Sequence, residues 1–231
     1  MVGMQVLVTG AASGIGLATA RLFAKSGAHV LGLDINPCPS DVTGLRVDLS
    51  DVDDVGRVVA QACKQLGKLD CLVNCAGVEV DGYLSDIDVV ALDRMFAINL
   101  RGPILVTRTA LPFMTEGGCI INLASELAFL GRAGASGYCA TKGAIVSLTR
   151  SWSRELGPHI RVNAVAPGPI DTPLLNFEKM SEKLKKIETG NPMGRIGRPE
   201  EVAAVIQFLA SPAASFITGQ CYSADGGAAM H

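Results

Sequence analysis

The sequence has almost no charge imbalance, few histidines and no long apolar run, and each shortage removes a class of function. Across 231 residues, 20 Lys and Arg stand against 22 Asp and Glu, for a formal net charge of −2. So even a balance offers no basic face to a nucleic acid and no polybasic patch to an anionic membrane. No apolar stretch is long enough to span a bilayer. No basic segment followed by an apolar one opens the chain, so no signal peptide is visible and a cytoplasmic protein is expected. The histidines are only His29, His159 and His231, and the seven cysteines are Cys38, Cys63, Cys71, Cys75, Cys119, Cys139 and Cys221. None forms a Cys-x-x-Cys pair. Cys71 and Cys75 have no second ligand pair nearby, so no metal site is expected, and the thiols read as reduced core residues of a cytosolic protein.

What is present is a core. Hydrophobic residues make up 48% of the chain, and there are 26 glycines, which suits one large domain with many tight turns. Apolar strand-like runs alternate with helical patterns. Strands are expected at 5–9, 28–34, 45–49, 69–74, 119–124, 160–166 and 220–223. Helices are expected at 17–26, 51–66, 92–114 (with Pro103 as a kink), 138–156 and 202–209. Residues 37–43 are short, polar and interrupted by proline, leaving no room for a full helix. Strict alternation without an internal boundary predicts one doubly wound α/β domain of Rossmann type, its mostly parallel sheet flanked by helices on both faces.

Between the first strand and helix lies Gly10-Ala11-Ala12-Ser13-Gly14-Ile15-Gly16. Three glycines at one strand-to-helix junction allow positive φ and a close approach of backbone to a bound group. The helix N-terminus behind them offers free N–H groups and a positive dipole end to a pyrophosphate. The spacing differs from the commoner Gly-x-Gly-x-x-Gly. Asp34 closes the second strand about 20 residues later, where a carboxylate accepts hydrogen bonds from an adenosine ribose and repels a 2′-phosphate. No Arg or Lys lies in the glycine turn or just after Asp34, which favours NAD over NADP.

Tyr138 and Lys142 are four residues apart on an expected helix, hence one turn apart on one face. Moving a phenol from its ordinary pKa near 10 to near 7 takes roughly 4 kcal/mol. A fixed ammonium ~4 Å away at an effective dielectric of ~20 supplies about that much. The pair alone is a weak signal, because many helices carry it by chance.

Taken together, the motifs resemble those of a short-chain dehydrogenase/reductase of the classical type, over almost the whole chain and in the family's order. The carriers are Thr9 to Gly16, Asn74-Cys75-Ala76-Gly77, Asn99 within Ile98-Asn99-Leu100, and Ser125 thirteen residues before Tyr138. They continue with Pro167 to Pro173, Pro192 to Arg195, Pro199 to Ala203, and Asp225-Gly226-Gly227. The resemblance implies hydride transfer between NAD(H) and a secondary alcohol or ketone: a hydroxy acid, a polyol, a steroid-like alcohol or a ring diol. It implies a catalytic set of Asn99, Ser125, Tyr138 and Lys142. Tyr138 moves the proton, Lys142 lowers its pKa and bonds the nicotinamide ribose, Ser125 orients the substrate oxygen, and Asn99 holds a relay water. It implies cofactor contacts from Gly10, Ser13, Gly14, Ile15, Gly16, Asp34, Asp48, Leu49, Asn74, Ala76, Gly77, Tyr138, Lys142, Pro167, Gly168, Ile170 and Thr172. Substrate contacts are expected from Ser125, Glu126, Leu127, Tyr138 and Leu174.

The family pattern further divides the single domain, residues 1–231, into a cofactor half up to about residue 120 and a catalytic and substrate half beyond it. Residues 174–190 would be a substrate lid; an amphipathic surface helix fits their pattern equally well. Family likeness implies a homotetramer or homodimer. There are departures from the pattern. Cys75 replaces an amide that usually helps brace the sheet, the stretch after Asp34 is short, and Glu126 directly follows Ser125, either as a contact to a substrate hydroxyl or as a solvated carboxylate. Two other functions remain: a 3-oxoacyl thioester reductase, and a catalytically silent nucleotide-sensing binder, which the intact Asn99, Ser125, Tyr138 and Lys142 set disfavours.

Overall fold

The computed structural model describes residues 1–230. In chain order the elements are β1 (Gln5–Thr9), α1 (Gly14–Lys25), β2 (His29–Asp34), β3 (Gly44–Arg46), α2 (Val52–Leu66), β4 (Leu69–Asn74) and α3 (Val89–Phe96). A π turn over Ala97–Arg101 leads into α4 (Gly102–Ala110), β5 (Met114–Leu123), α5 (Leu127–Leu130) and α6 (Ser136–Leu156). The chain ends with β6 (Arg161–Pro167), α7 (Glu182–Glu188), α8 (Pro199–Ala210) and β7 (Cys221–Ala224).

Successive strand side chains point to opposite faces, so a strand apolar at every position must be covered on both sides. β1 shows this. Val6 and Val8 pack with Phe23 of α1 and Val202, Ile206 and Leu209 of α8. Leu7, between them, packs on the other face with Val55, Val59 and Cys63 of α2 and Val106 of α4. The seven strands run in the order β3-β2-β1-β4-β5-β6-β7, and every pair is parallel. The expected Rossmann-type fold is therefore present, with a wholly parallel sheet. The chain winds outward in both directions from β1 and β4, and such a switch point opens a crevice beyond the C-terminal strand ends.

The differences from expectation are local. β3 stops at Arg46, because Val47 makes the last backbone bond to β2, at Asp34. Asp48 then folds the chain into a turn, its carboxylate accepting from both the N–H and the hydroxyl of Ser50. The expected helix over 92–114 starts earlier, at Val89, where the Asp88 carboxylate caps the N–H groups of Val90 and Ala91. It is interrupted at the π turn just before Pro103, whose missing N–H removes a helical bond. β5 begins at Met114 instead of Cys119, because its register with β4 shifts between Leu69 and Cys71, a bulge eased by Gly117 at φ +78°. No helix lies between β2 and β3.

Two C-terminal motifs have structural reasons. Arg195 grips the Glu201 carboxylate with two bonds, at 2.8 and 2.6 Å, while Glu201 also accepts from the Arg198 N–H and caps α8. Asp225 accepts from the N–H groups of Gly227 and Ala229, at 2.9 and 2.7 Å.

Candidate active site

A cavity of about 350 Å³ opens at the switch point. Its floor is the turn from β1 into α1. Gly14 has φ +51°, which swings the chain from strand into helix. Gly16 admits no side chain, since a Cβ there would lie 2.1 Å from the Gly10 carbonyl oxygen. The Ser13 side chain makes no capping bond and the first turn carries no acid. The N-terminal N–H groups and the positive end of α1 are thus left without a side-chain partner, next to the cavity. Gly10, Ser13, Gly14, Ile15 and Gly16 all line it. So do Asp34, Asp48, Leu49, Ala76, Gly77, Ser125, Glu126, Leu127, Tyr138, Lys142, Pro167, Gly168, Ile170, Thr172 and Leu174. Residues far apart in the chain meet here because the parallel sheet brings its C-terminal ends to one edge.

The Asp34 carboxylate accepts from the Ala12 N–H at 3.0 Å and the Asn36 N–H at 2.9 Å, one bond on each oxygen. That leaves lone pairs on the cavity side. Arg46, not foreseen here, lies opposite Asp34 on β3. Its guanidinium donates to the Ile35 carbonyl at 3.0 Å. An uncapped helix end, a side-chain-free floor and a carboxylate closing β2 fit the pyrophosphate and ribose of a dinucleotide.

Two expected site residues, Asn74 and Asn99, lie outside the cavity lining. Asn74 is turned into the sheet, 3% exposed. Its amide nitrogen donates to Thr107 Oγ1 at 3.1 Å and Asn122 Oδ1 at 2.9 Å, and Asn122 in turn donates to Thr149 at 3.0 Å. The Asn74 side chain is therefore a brace between β4, β5 and α4, outside the cavity lining, and this chain retains a bracing amide despite Cys75. Asn99 sits behind the cavity wall at the π turn. It accepts from the Val78 N–H at 2.9 Å and donates to the Val78 carbonyl at 2.7 Å, which fixes the strand of chain bearing Gly77.

At the opposite end of the cavity, Ser125, Tyr138 and Lys142 are all buried. Lys142 Nζ donates to the Leu123 carbonyl at 2.8 Å and lies 5.6 Å from the centroid of the Tyr138 ring. Burial lowers the Lys142 ammonium to about 8, against the upward pull of Cys75 and Glu79. Tyr138 corrects the sequence expectation. Burial first, then the charges of Glu79 and Glu126, push its phenol upward, and the neighbouring Ser125 hydroxyl opposes them. The ammonium faces the ring but bonds the Leu123 carbonyl, while burial and the two carboxylates act against ionisation.

Those carboxylates were only partly legible. Glu79 follows Gly77 by two residues, and burial, with Asp81 next, raises its carboxyl to about 7. Position after the Asn-x-Ala-Gly turn could have marked it. Arg132 and Glu188 also line the cavity and pair at 3.0 Å, joining α7 to the loop before α6. No local pattern announces that convergence.

The chain is similar to known proteins over its full length. A family model described as enoyl-(acyl carrier protein) reductase matches residues 10–229. The 3-oxoacyl-[acyl-carrier-protein] reductase of Thermotoga maritima is 39% identical, covering 97% of this chain and 97% of that protein. The cis-4-hydroxycyclohexanecarboxylate dehydrogenase of Sinomonas cyclohexanicum is 41% identical, over 96% and 94%. The ligand-free aldohexose dehydrogenase of Thermoplasma acidophilum superposes with a TM-score of 0.92 at 35% identity, over 98% of this chain and 94% of that one.

Proposed function

The chain is an oxidoreductase of the short-chain dehydrogenase/reductase family, and from that premise we propose that it transfers hydride between NAD(H) and a small secondary alcohol or ketone, with Tyr138 handling the proton. The observation that carries this reading is one cavity lined at one end by the glycine turn and Asp34 and at the other by Ser125, Tyr138 and Lys142.

When bound, the nicotinamide supplies acceptance and donation of hydride. The residues do the rest. The N–H groups of α1 hold the pyrophosphate, and Asp34 accepts from the ribose hydroxyls and disfavours NADP(H). Asp48 and Leu49 wall the adenine end; Pro167, Gly168, Ile170 and Thr172 wall the nicotinamide end. Ser125 donates to the substrate oxygen and Lys142 holds the nicotinamide ribose. Tyr138, pushed upward, is a phenol at neutral pH, ready to give its proton to a carbonyl oxygen; in the oxidising direction it must first become phenolate. Alkaline conditions therefore favour oxidation and neutral ones favour reduction.

A cytoplasmic homotetramer or homodimer completes the reading. No described helix is long and apolar enough to cross a membrane, and Leu84, Val90 and Phe216 are exposed apolar side chains available for assembly. The likeness to a 3-oxoacyl thioester reductase supports that activity as a second reading, with Asp34 against its usual NADP(H). Titration of the protein with NADH and NADPH separates the two. Tight NADH and weak NADPH are expected, and Tyr138→Phe should abolish turnover while keeping NADH affinity. The reverse cofactor order would favour the thioester reductase, and full activity of Tyr138→Phe would remove Tyr138 from its role.

A further inference from the structure

The Ser125 hydroxyl is already engaged. It donates to Glu126 Oε2 at 2.7 Å, and Glu126 is only 6% exposed, on the wall of the cavity. Two oxygens thus stand side by side where the substrate oxygen is to sit. One can donate a proton; the other, as carboxylate, can only accept. Neighbouring hydroxyl oxygens of a diol lie about as far apart as two hydrogen-bonded oxygens, roughly 2.7–2.8 Å. We propose that the substrate is a neutral compound with vicinal hydroxyls, whose reacting oxygen accepts from Ser125 while the adjacent hydroxyl donates to Glu126. This rests on reading the cavity as the alcohol site of a dehydrogenase, and it makes Glu126 the residue that determines specificity.

The rest of the wall agrees. Glu79 lines the same space and adds a second carboxyl. The cations beside Ser125 and Glu126 already have partners. Arg132 reaches both oxygens of Glu188 at 3.0 Å, Lys142 bonds the Leu123 carbonyl, and Arg94 acts on Asp48, at the proposed adenine end. A substrate carboxylate at this end would meet the acids Glu79 and Glu126. A mono-alcohol would take the Ser125 hydrogen bond and strand the Glu126 carboxylate in a buried wall without a donor. Sites built to pair with a substrate hydroxyl reject the analogue lacking it strongly.

The test is a matched four-carbon series supplied with NAD: butane-2,3-diol, butane-1,3-diol, butan-2-ol and 3-hydroxybutyrate, followed by NADH formation. The vicinal diol should exceed the mono-alcohol and the hydroxy acid by about 100-fold in kcat/KM. In Glu126→Gln that ratio should shrink to about 10-fold or less, because a neutral amide neither needs the second hydroxyl nor repels the acid. Calorimetric titration of the NADH-loaded protein with each compound gives a second readout without turnover and should show the same order. NADH titration checks that the variant folds; if it does not, the wild-type order alone decides. Preference for butan-2-ol or 3-hydroxybutyrate, or an unchanged ratio in a variant that binds NADH, overturns the proposal while leaving the dehydrogenase reading intact. No turnover of any alcohol, or of any corresponding ketone with NADH, by wild-type protein that binds NADH overturns both.

Discussion

Glu79 offers a test of the site's electrostatics that needs no substrate. Its carboxyl is raised from 4.5 to about 7, chiefly by burial and then by Asp81. The folded protein therefore binds this proton more tightly than the unfolded chain does. The associated stability is fully present below pH 4.5 and is lost as the pH rises through about 7. A tenfold change in proton affinity is worth 1.36 kcal/mol, so the gap amounts to about 3 kcal/mol as an upper bound. Water reaching the half-buried carboxyl reduces this to about 1–2 kcal/mol. Glu79→Gln keeps the shape and removes the titration. At pH 8 the variant should be the more stable protein by that amount, a rise of about 2–8 °C in Tm at the 2–4 °C per kcal/mol typical of this size. The two melting curves should converge near pH 4.5, measured by circular dichroism across the pH range. The same substitution removes one of the carboxylates that raise Tyr138, so the alkaline limb of the oxidation profile should move to lower pH. A stability difference independent of pH, or a variant less stable at pH 8, would refute the assignment of a buried, reluctantly ionised carboxyl.

Two further substitutions address the scaffold. Gly16→Ala should abolish nucleotide binding, since its Cβ would stand 2.1 Å from the Gly10 carbonyl oxygen and the turn must open to relieve the clash; NADH titration and a melt read the two effects separately. Asn74→Ala should cost about 1–3 kcal/mol in urea unfolding by leaving Asn122 and Thr107 without a buried donor, while NADH affinity stays within about twofold; a selective loss of affinity would restore Asn74 to the cofactor.

How much of this was legible from the sequence depended on how far each cause reaches along the chain. The βαβ unit was readable because its signals are local: an apolar run, glycines at the turn, a carboxylate closing the next strand. The shortened segment after Asp34 was readable for the same reason, since a proline-interrupted stretch cannot become a helix. The bracing role of Asn74 was not readable because its sequence neighbours Cys75, Ala76 and Gly77 line the cavity, whereas its own side chain is turned into the sheet and meets Thr107 and Asn122. Alternation along a strand decides that, and it shows only once the register between β4 and β5 is known. The Tyr138 error is of the same kind and more instructive. A helical spacing of four places Lys142 beside the ring, but a pKa answers to every charge that tertiary structure brings near, weighed by burial. Here Glu79 and Glu126 arrive from two other strand ends, while the ammonium turns to the Leu123 carbonyl. The motif locates the proton-handling group; the acids gathered around it, which no motif contains, set how reluctantly it ionises and which hydroxyl pattern it is offered.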